Sequence, residues 1–578
     1  MSKQGGTVSG VELNEVQAAL EELRANRIVQ RIWEEDASVW SSDSEHVKII
    51  ANSLGWLRVA DELREHTAEL ETFAKEIRDE GFTHAVVLGM GGSSLCPEVL
   101  RQSFGKQDDY PELLVLDSTV PAAVAQIEAQ VKLPHTLFIV ASKSGSTTEP
   151  QMFQRYFYER VKEIKGERAG ENFIAITDPG TVLEGQARDD GYRRIFINWD
   201  DIGGRYSALS FFGMVPFAIM GGDVDELLER AIAAANACKH EEPGANPGAA
   251  LGALLGTLAN KGVNKLTLIG SPQIASLGLW IEQLVAESTG KLGKGIVPVA
   301  GEELGSPEVY GKDRVFVSLS IGEAEPETSH KLQALETAGF TVVHQQLSGP
   351  LDLGATFFVW EFATAVAGSM MKIDAFDQPN VQESKDNTKR LLNAFIDSGT
   401  LPEPAPLASE GALKLYSEDH SLQPQQAKDG LAGDPVGTKL DAAISAHLAK
   451  VGEGDYAAIT QYFLETDEVE ALVQRLRLAV REKTRAAVTS GYGPRFLHST
   501  GQLHKGGANS GVFLQLTAQD AKDVPIPREP FGFSILKQAQ ALGDFESLVK
   551  HGRRAVRVDL GVDVPAGLRR LLQAVEQG

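Results

Sequence analysis

The stretch with the densest chemistry is Ala141-Ser-Lys-Ser-Gly-Ser-Thr-Thr-Glu149, a hydroxyl-rich turn between an apolar run and an amphipathic one. Ser142, Ser144, Ser146, Thr147 and Thr148 offer neutral donors, and Lys143 offers a charge. Upstream, Thr136-Leu-Phe-Ile-Val140 is a continuous apolar run of the kind that forms a strand buried in a parallel sheet. Downstream, Phe153, Tyr156, Phe157 and Val161 recur at helical spacing. Ser146 and Glu149 have the spacing of a capping box, and Pro150 falls in the first turn, where a missing N–H breaks no helical bond. Strand, tight turn and helix N-terminus aim free N–H groups and the positive end of the helix dipole at one point, so the stretch reads as a phosphate cradle. A capped surface loop would look the same in isolation.

A second turn, Gly89-Met-Gly-Gly-Ser-Ser94, follows another strand-like run, His84-Ala-Val-Val-Leu. It departs from the dinucleotide-binding fingerprint, because Ser94 stands where the third glycine belongs. It fits better as a Gly/Ser turn at the carboxyl edge of the same sheet, with Ser93 facing the crevice that the cradle lines.

The elements that must hold these turns follow from hydropathy. Residues 15–33 and 59–80 carry apolar positions at helical spacing among charges, as surface helices do. Strand-like runs at 84–90, 112–117, 136–140, 172–177 and 194–198 then alternate with helical patterns, and the cycle resumes at 265–269, 314–319 and 341–344. That alternation predicts an α/β fold of two doubly wound parallel-sheet units, three-layer αβα, followed by a C-terminal α/β extension. The expected divisions are residues 1–230, 231–395 and 396–578. The stretch from Ser398 to Asp434, rich in Pro, Glu, Gln and Gly, is expected to be an irregular excursion or linker. A charged helix is expected over Glu468 to Lys483, with strands at 456–460, 512–516 and 555–559.

Composition narrows the function. A chain of 578 residues with a formal charge of −24 lacks the basic balance that broad nucleic-acid binding needs, although a local cradle can still hold a small anion. Cys96 and Cys238 offer neither a disulfide framework nor a metal cluster, which suggests a reducing compartment. Met1-Ser-Lys-Gln-Gly-Gly6 has no apolar leader core, and no charge-free run spans a bilayer, so a cytoplasmic protein with no membrane partner is expected.

Further along, Gly203-Gly-Arg-Tyr-Ser207, Glu287-Ser-Thr-Gly-Lys291 and Phe376-Asp-Gln-Pro-Asn-Val-Gln-Glu-Ser-Lys385 stand in order behind the two turns. Together these five segments resemble the motifs of the phosphoglucose isomerases. The arrangement is similar to the isomerase portion of bifunctional transaldolase/phosphoglucose isomerase proteins, although no transaldolase barrel pattern precedes it here. The resemblance implies the SIS sugar-isomerase fold and reversible isomerisation of glucose 6-phosphate and fructose 6-phosphate, without metal or cofactor. It implies Glu287 as the base, Arg205 as the stabiliser of an enediolate, and Lys385 at the ring oxygen. Ser93, Ser142, Lys143, Ser144, Thr147 and Gln378 would hold the phosphate. The family's ring-opening histidine sits in a Gly-Gln-His segment. The nearest match here is His504, in Ser499-Thr-Gly-Gln-Leu-His504, with His498 as a rival. Asn380 and Gln382 depart from the family's Gly and Glu in the last motif. A homodimer is implied as well. The alternatives are an isomerase of another phosphosugar such as mannose 6-phosphate, and a non-catalytic SIS-type sugar-phosphate-binding module.

Overall fold

The computed structural model describes residues 7–9, 13–419, 422 and 439–577. The chain enters through a short strand, β1 (Thr7–Ser9), and a run of helices, then builds its first sheet. That sheet comprises β2 (His84–Leu88), β3 (Glu112–Leu116), β4 (Thr136–Ala141), β5 (Phe173–Thr177) and β6 (Arg194–Ile197). The strands are parallel and lie in the order β3-β2-β4-β5-β6. The second sheet holds β7 (Lys265–Gly270), β8 (Val297–Ala300), β9 (Arg314–Ile321) and β10 (Thr341–Leu347), parallel in the order β10-β9-β7-β8. β1 closes its far edge antiparallel to β10, so the N-terminal segment reaches past the first unit.

The C-terminal extension is itself a doubly wound unit. β11 (Ala408–Glu410) and β12 (Leu413–Tyr416) form an antiparallel hairpin inside the stretch expected to be irregular; residues 420, 421 and 423–434 of that stretch lie outside the described residues. β13 (Tyr456–Tyr462), β14 (Ala487–Tyr492), β15 (Gly511–Thr517) and β16 (Arg554–Asp559) pair in parallel, giving the order β11-β12-β16-β15-β13-β14. β8 and β14 escape the hydropathy reading because both are edge strands, one carrying Pro298 and the other Thr489, Ser490 and Gly491.

All three units share one winding. The chain pairs its first strand on one side (β2 with β3, β7 with β8, β13 with β14) and then returns to the other side with β4, β9 or β15. The crevice at the carboxyl ends of the two central strands is where such sheets accept ligands.

The third unit is anchored on the first. Helix Phe533–Lys550 sends Phe533, Leu536 and Ala539 into the apolar cluster of Val86, Phe138 and Phe153, and the rings of Phe153 and Phe533 stack at 5.9 Å. A large apolar side chain contributes roughly 1.5–3 kcal/mol when fully buried. This packing carries the C-terminal third back to the cradle. Among the described residues the one helix long and apolar enough to cross a membrane is Pro350–Met371, and 78% of its apolar window is buried inside the protein.

Candidate functional site

Parallel pairing of β2 and β4 sets Leu88 beside Val140, so the turns that follow the two strands emerge side by side at the carboxyl edge. Close approach there demands glycine. A Cβ on Gly92 would lie 1.9 Å from the carbonyl oxygen of Gly204, and one on Gly91, at φ +55°, would meet the Gln283 amide and the His498 carbonyl at 2.9 Å each. Ser93 is buried in this turn, and Ser94 donates to Asp117 at 3.3 Å. Asp117, whose carboxyl burial pushes up, also holds Arg495 at 3.0 Å and so ties the segment before His498 to the first sheet.

In the cradle, helix Thr148–Lys165 begins after Thr147 as N-cap, with no side-chain cap bond. The expected capping box is therefore not formed. Ser146 faces Ser144 instead, their hydroxyl oxygens 3.0 Å apart, and Glu149 turns elsewhere. Ser142 donates to Thr147 at 3.3 Å. Lys143 is turned out of the cradle: it pairs with Asp178 and donates to the Asp200 carbonyl at 2.8 Å. Burial pushes the Asp178 carboxyl up to about 6 against the pull of that lysine.

Glu287 and Arg205 meet across the first and second units. Helix Leu277–Thr289 carries Gln283 and Glu287 on successive turns, and Gln283 Nε2 donates to Glu287 Oε2 at 3.1 Å. The same Nε2 donates to the His498 carbonyl at 2.9 Å. Arg205 Nη1 stands 3.3 Å from Glu287 Oε1. The guanidinium also donates to Ser288 Oγ at 2.8 Å, Gln378 Oε1 at 3.0 Å and the carbonyls of Ala375 and Asp377 at 2.7 and 3.0 Å. Gln378, expected at the phosphate, is thus a partner of Arg205. The 374–378 loop is fixed in turn by Lys291, which donates to the Asp374 and Asp377 carbonyls at 2.6 and 2.5 Å, and by His46, which donates to Asp374 at 2.9 Å. Burial, then the nearby Arg205 charge, lowers Lys291 to about 8. His46, Asp374 and Asp377 have the spacing of a cation site, but Lys291 Nζ already stands 2.6 Å from Asp377 Oδ1.

A cavity of about 510 Å³ opens between helices Thr148–Lys165 and Val381–Ser398 and the C-terminal third. Ser146, Thr148, Glu149, Lys385, His498 and Gln540 line it. His498 Nε2 donates to Glu149 Oε1 at 3.2 Å. Burial pushes the Glu149 carboxyl up, but the charge and hydrogen bond of His498, with Lys385 behind them, outweigh it and hold the group below its ordinary value.

His504, the histidine the sequence favoured, is elsewhere. It is 3% exposed in helix Gly501–Gly506, ringed by Tyr456, Phe496 and Phe513 at centroid distances of 6.4, 5.9 and 5.0 Å. Neither ring nitrogen has a hydrogen-bond partner among the described residues. Burial, then Lys505 and Arg553, holds it well below the ordinary histidine value, so it is neutral and apolar in effect.

The structure therefore joins Glu287, Arg205 and Gln378 in one network, sets Lys385 with His498 and Glu149 in the cavity, and links the two through Gln283. Such a set can hold a sugar ring, move a proton on carbon and stabilise the anion that forms. Sequence reasoning missed Gln283, although its four-residue spacing from Glu287 was a signal. It read Glu149 only as a cap. It gave Gln540 no role.

The family model described as phosphoglucose isomerase matches residues 38–297. A glucose-6-phosphate isomerase of Lactiplantibacillus plantarum is 28% identical over 389 residues, covering 58% of this chain and 86% of its own length. One from Clostridium novyi is 27% identical over 390 residues, with coverages of 59% and 86%. A crystal structure of a hypothetical protein from Thermus thermophilus shares the fold, with a TM-score of 0.57 at 23% identity, over 67% of this chain and 99% of that one.

Proposed function

We propose, from its similarity to the phosphoglucose isomerases, that the chain is one of them and interconverts glucose 6-phosphate and fructose 6-phosphate through the residues described above. The phosphate binds the hydroxyls of Ser142, Ser144 and Thr147, with Ser93 and the helix N-terminus beside them, a site of neutral donors at a positive dipole end. Lys143, paired with Asp178, shapes the turn rather than supplying free charge. His498, held by Glu149, and Lys385 open the ring by moving the proton of the anomeric hydroxyl to the ring oxygen as the bond from that oxygen to the anomeric carbon breaks. Glu287 then takes the proton from C2 and returns it to C1, and Arg205, always charged, stabilises the enediolate between the two steps.

One observation carries this reading: a single amide, Gln283 Nε2, bonds both the proposed base at 3.1 Å and the backbone of the proposed ring-opening histidine at 2.9 Å. A binding module needs the hydroxyl turns but gains nothing from this coupling. Isomerisation assayed in both directions, with Glu287→Gln as control, tests the proposal. Tight phosphosugar binding without turnover in the unmodified protein would reject it.

A further inference from the structure

We infer that Gln540 and Thr119 form a positioning relay that fixes the Glu149–His498 pair; the inference rests on the reading above, in which His498 opens the sugar ring. Gln540 stands on helix Phe533–Lys550, is 2% exposed and lines the cavity. Its Nε2 donates at 2.6 Å to Glu149 Oε1, the same oxygen that accepts from His498 Nε2 at 3.2 Å. At its other end, Gln540 Oε1 accepts from the hydroxyl of fully buried Thr119, also at 2.6 Å.

The chemistry allows one orientation. An ionised carboxylate only accepts, so the Gln540 amide must present its NH2 to Glu149; a flipped amide would set oxygen against oxygen. Thr119 closes the far end, so the amide cannot rotate away without leaving a buried oxygen unpaired. Glu149 is buried as well and needs a second, neutral donor to stay ionised in place. With both donors on Oε1, the carboxylate is fixed in direction, the imidazole is held through Nε2, and Nδ1 is left free of Glu149. The relay joins the first unit, which supplies Thr119 and Glu149, to the third, which supplies Gln540 and His498. Gln540 and Thr119 act on the substrate only through Glu149 and His498.

The test compares Gln540→Leu and Thr119→Val with the unmodified protein, each also in a Glu149→Gln background. One readout is steady-state isomerisation of glucose 6-phosphate; the other is the rate at which diethyl pyrocarbonate labels the peptide containing His498. Gln540→Leu is expected to lower kcat on the order of tenfold with KM changed less than about twofold, and Thr119→Val to lower it less. In the Glu149→Gln background, Gln540→Leu should add no further loss, whereas a merely structural role would add its full effect. His498 labelling should accelerate on the order of tenfold in Gln540→Leu, as the imidazole loses its fixed acceptor. Gln540→Met, which keeps side-chain length, replaces Gln540→Leu if that variant does not fold. Additive losses, or unchanged labelling of His498, overturn the relay. If the unmodified protein turns over no phosphosugar, the isomerase reading fails, and the labelling rate alone decides the relay.

Discussion

Glu149 and His498 stand 349 positions apart in the chain, yet the carboxylate oxygen of one accepts from the imidazole of the other at 3.2 Å. The contact forms because helix Phe533–Lys550 packs on the first sheet and because Arg495 is held by Asp117, so the C-terminal third closes a cavity opened by the first unit. The matched family segment ends at residue 297, before Lys385, His498 and Gln540. The histidine at the cavity thus lies outside that segment.

The two histidines are expected to separate cleanly. His498→Asn should lower kcat on cyclic glucose 6-phosphate by about a hundredfold, the scale of one acid–base group, and spare the open-chain aldehyde more. His504→Phe, filling an aromatic cage, should keep the rate within about twofold. Rapid-mixing assays on ring-closed and ring-open substrate make the comparison. Equal loss on both forms in His498→Asn would remove it from ring opening, and a hundredfold loss in His504→Phe would restore the other histidine, each judged on the same scale of about 10².

Binding should depend on hydroxyls more than on the cradle's lysine. Ser142→Ala with Thr147→Ala is expected to raise KM about tenfold with kcat kept, as loss of uniform binding does. Lys143→Met should raise KM less, because that charge is already taken up by Asp178. Steady-state kinetics with fructose 6-phosphate check both; the reverse ranking would put the lysine on the phosphate.

Acid should weaken the third unit first. His447 donates to the Phe513 carbonyl at 3.0 Å, and burial lowers it from 6.5 to about 4; burial lowers His504 as well. Both are protonated more readily in the unfolded chain, so stability is full above pH 6.5 and falls as pH drops from there toward 4. The loss is about 1.4 kcal/mol per pH unit for each histidine across its own window. Denaturant melts monitored between about pH 7 and pH 4.5 should show a smaller slope in His504→Phe. An unchanged slope would mean that His504 is protonated in the folded state.

The sheet units were legible because strands buried on both faces read as unbroken apolar runs, as at Leu137 to Val140 and Val512 to Leu514. Motif order brought Arg205, Glu287 and Lys385 forward; the structure pairs the first two and sets Lys385 in the cavity with Glu149 and His498. What stayed hidden depends on long-range packing. A Gly-Gln-x-His spacing drew attention to His504, but the backbone turns that imidazole into a cage of Tyr456, Phe496 and Phe513. The resemblance put Gln378 and Lys143 at the phosphate, while their partners Arg205 and Asp178 lie on other elements. The hairpin at Ala408 to Tyr416 was masked by a Pro-rich surrounding and is held by pairing with β16, which no local pattern records.

The central claim is that Glu287 moves the proton. Fructose 6-phosphate incubated in heavy water with the unmodified protein should yield glucose 6-phosphate carrying solvent deuterium at C2. Glu287→Gln should bind the sugar with affinity within about threefold while turnover falls on the order of 10³-fold or more. Turnover that survives in Glu287→Gln, or product formed by the unmodified protein without solvent label and with hydride retained, would contradict the account.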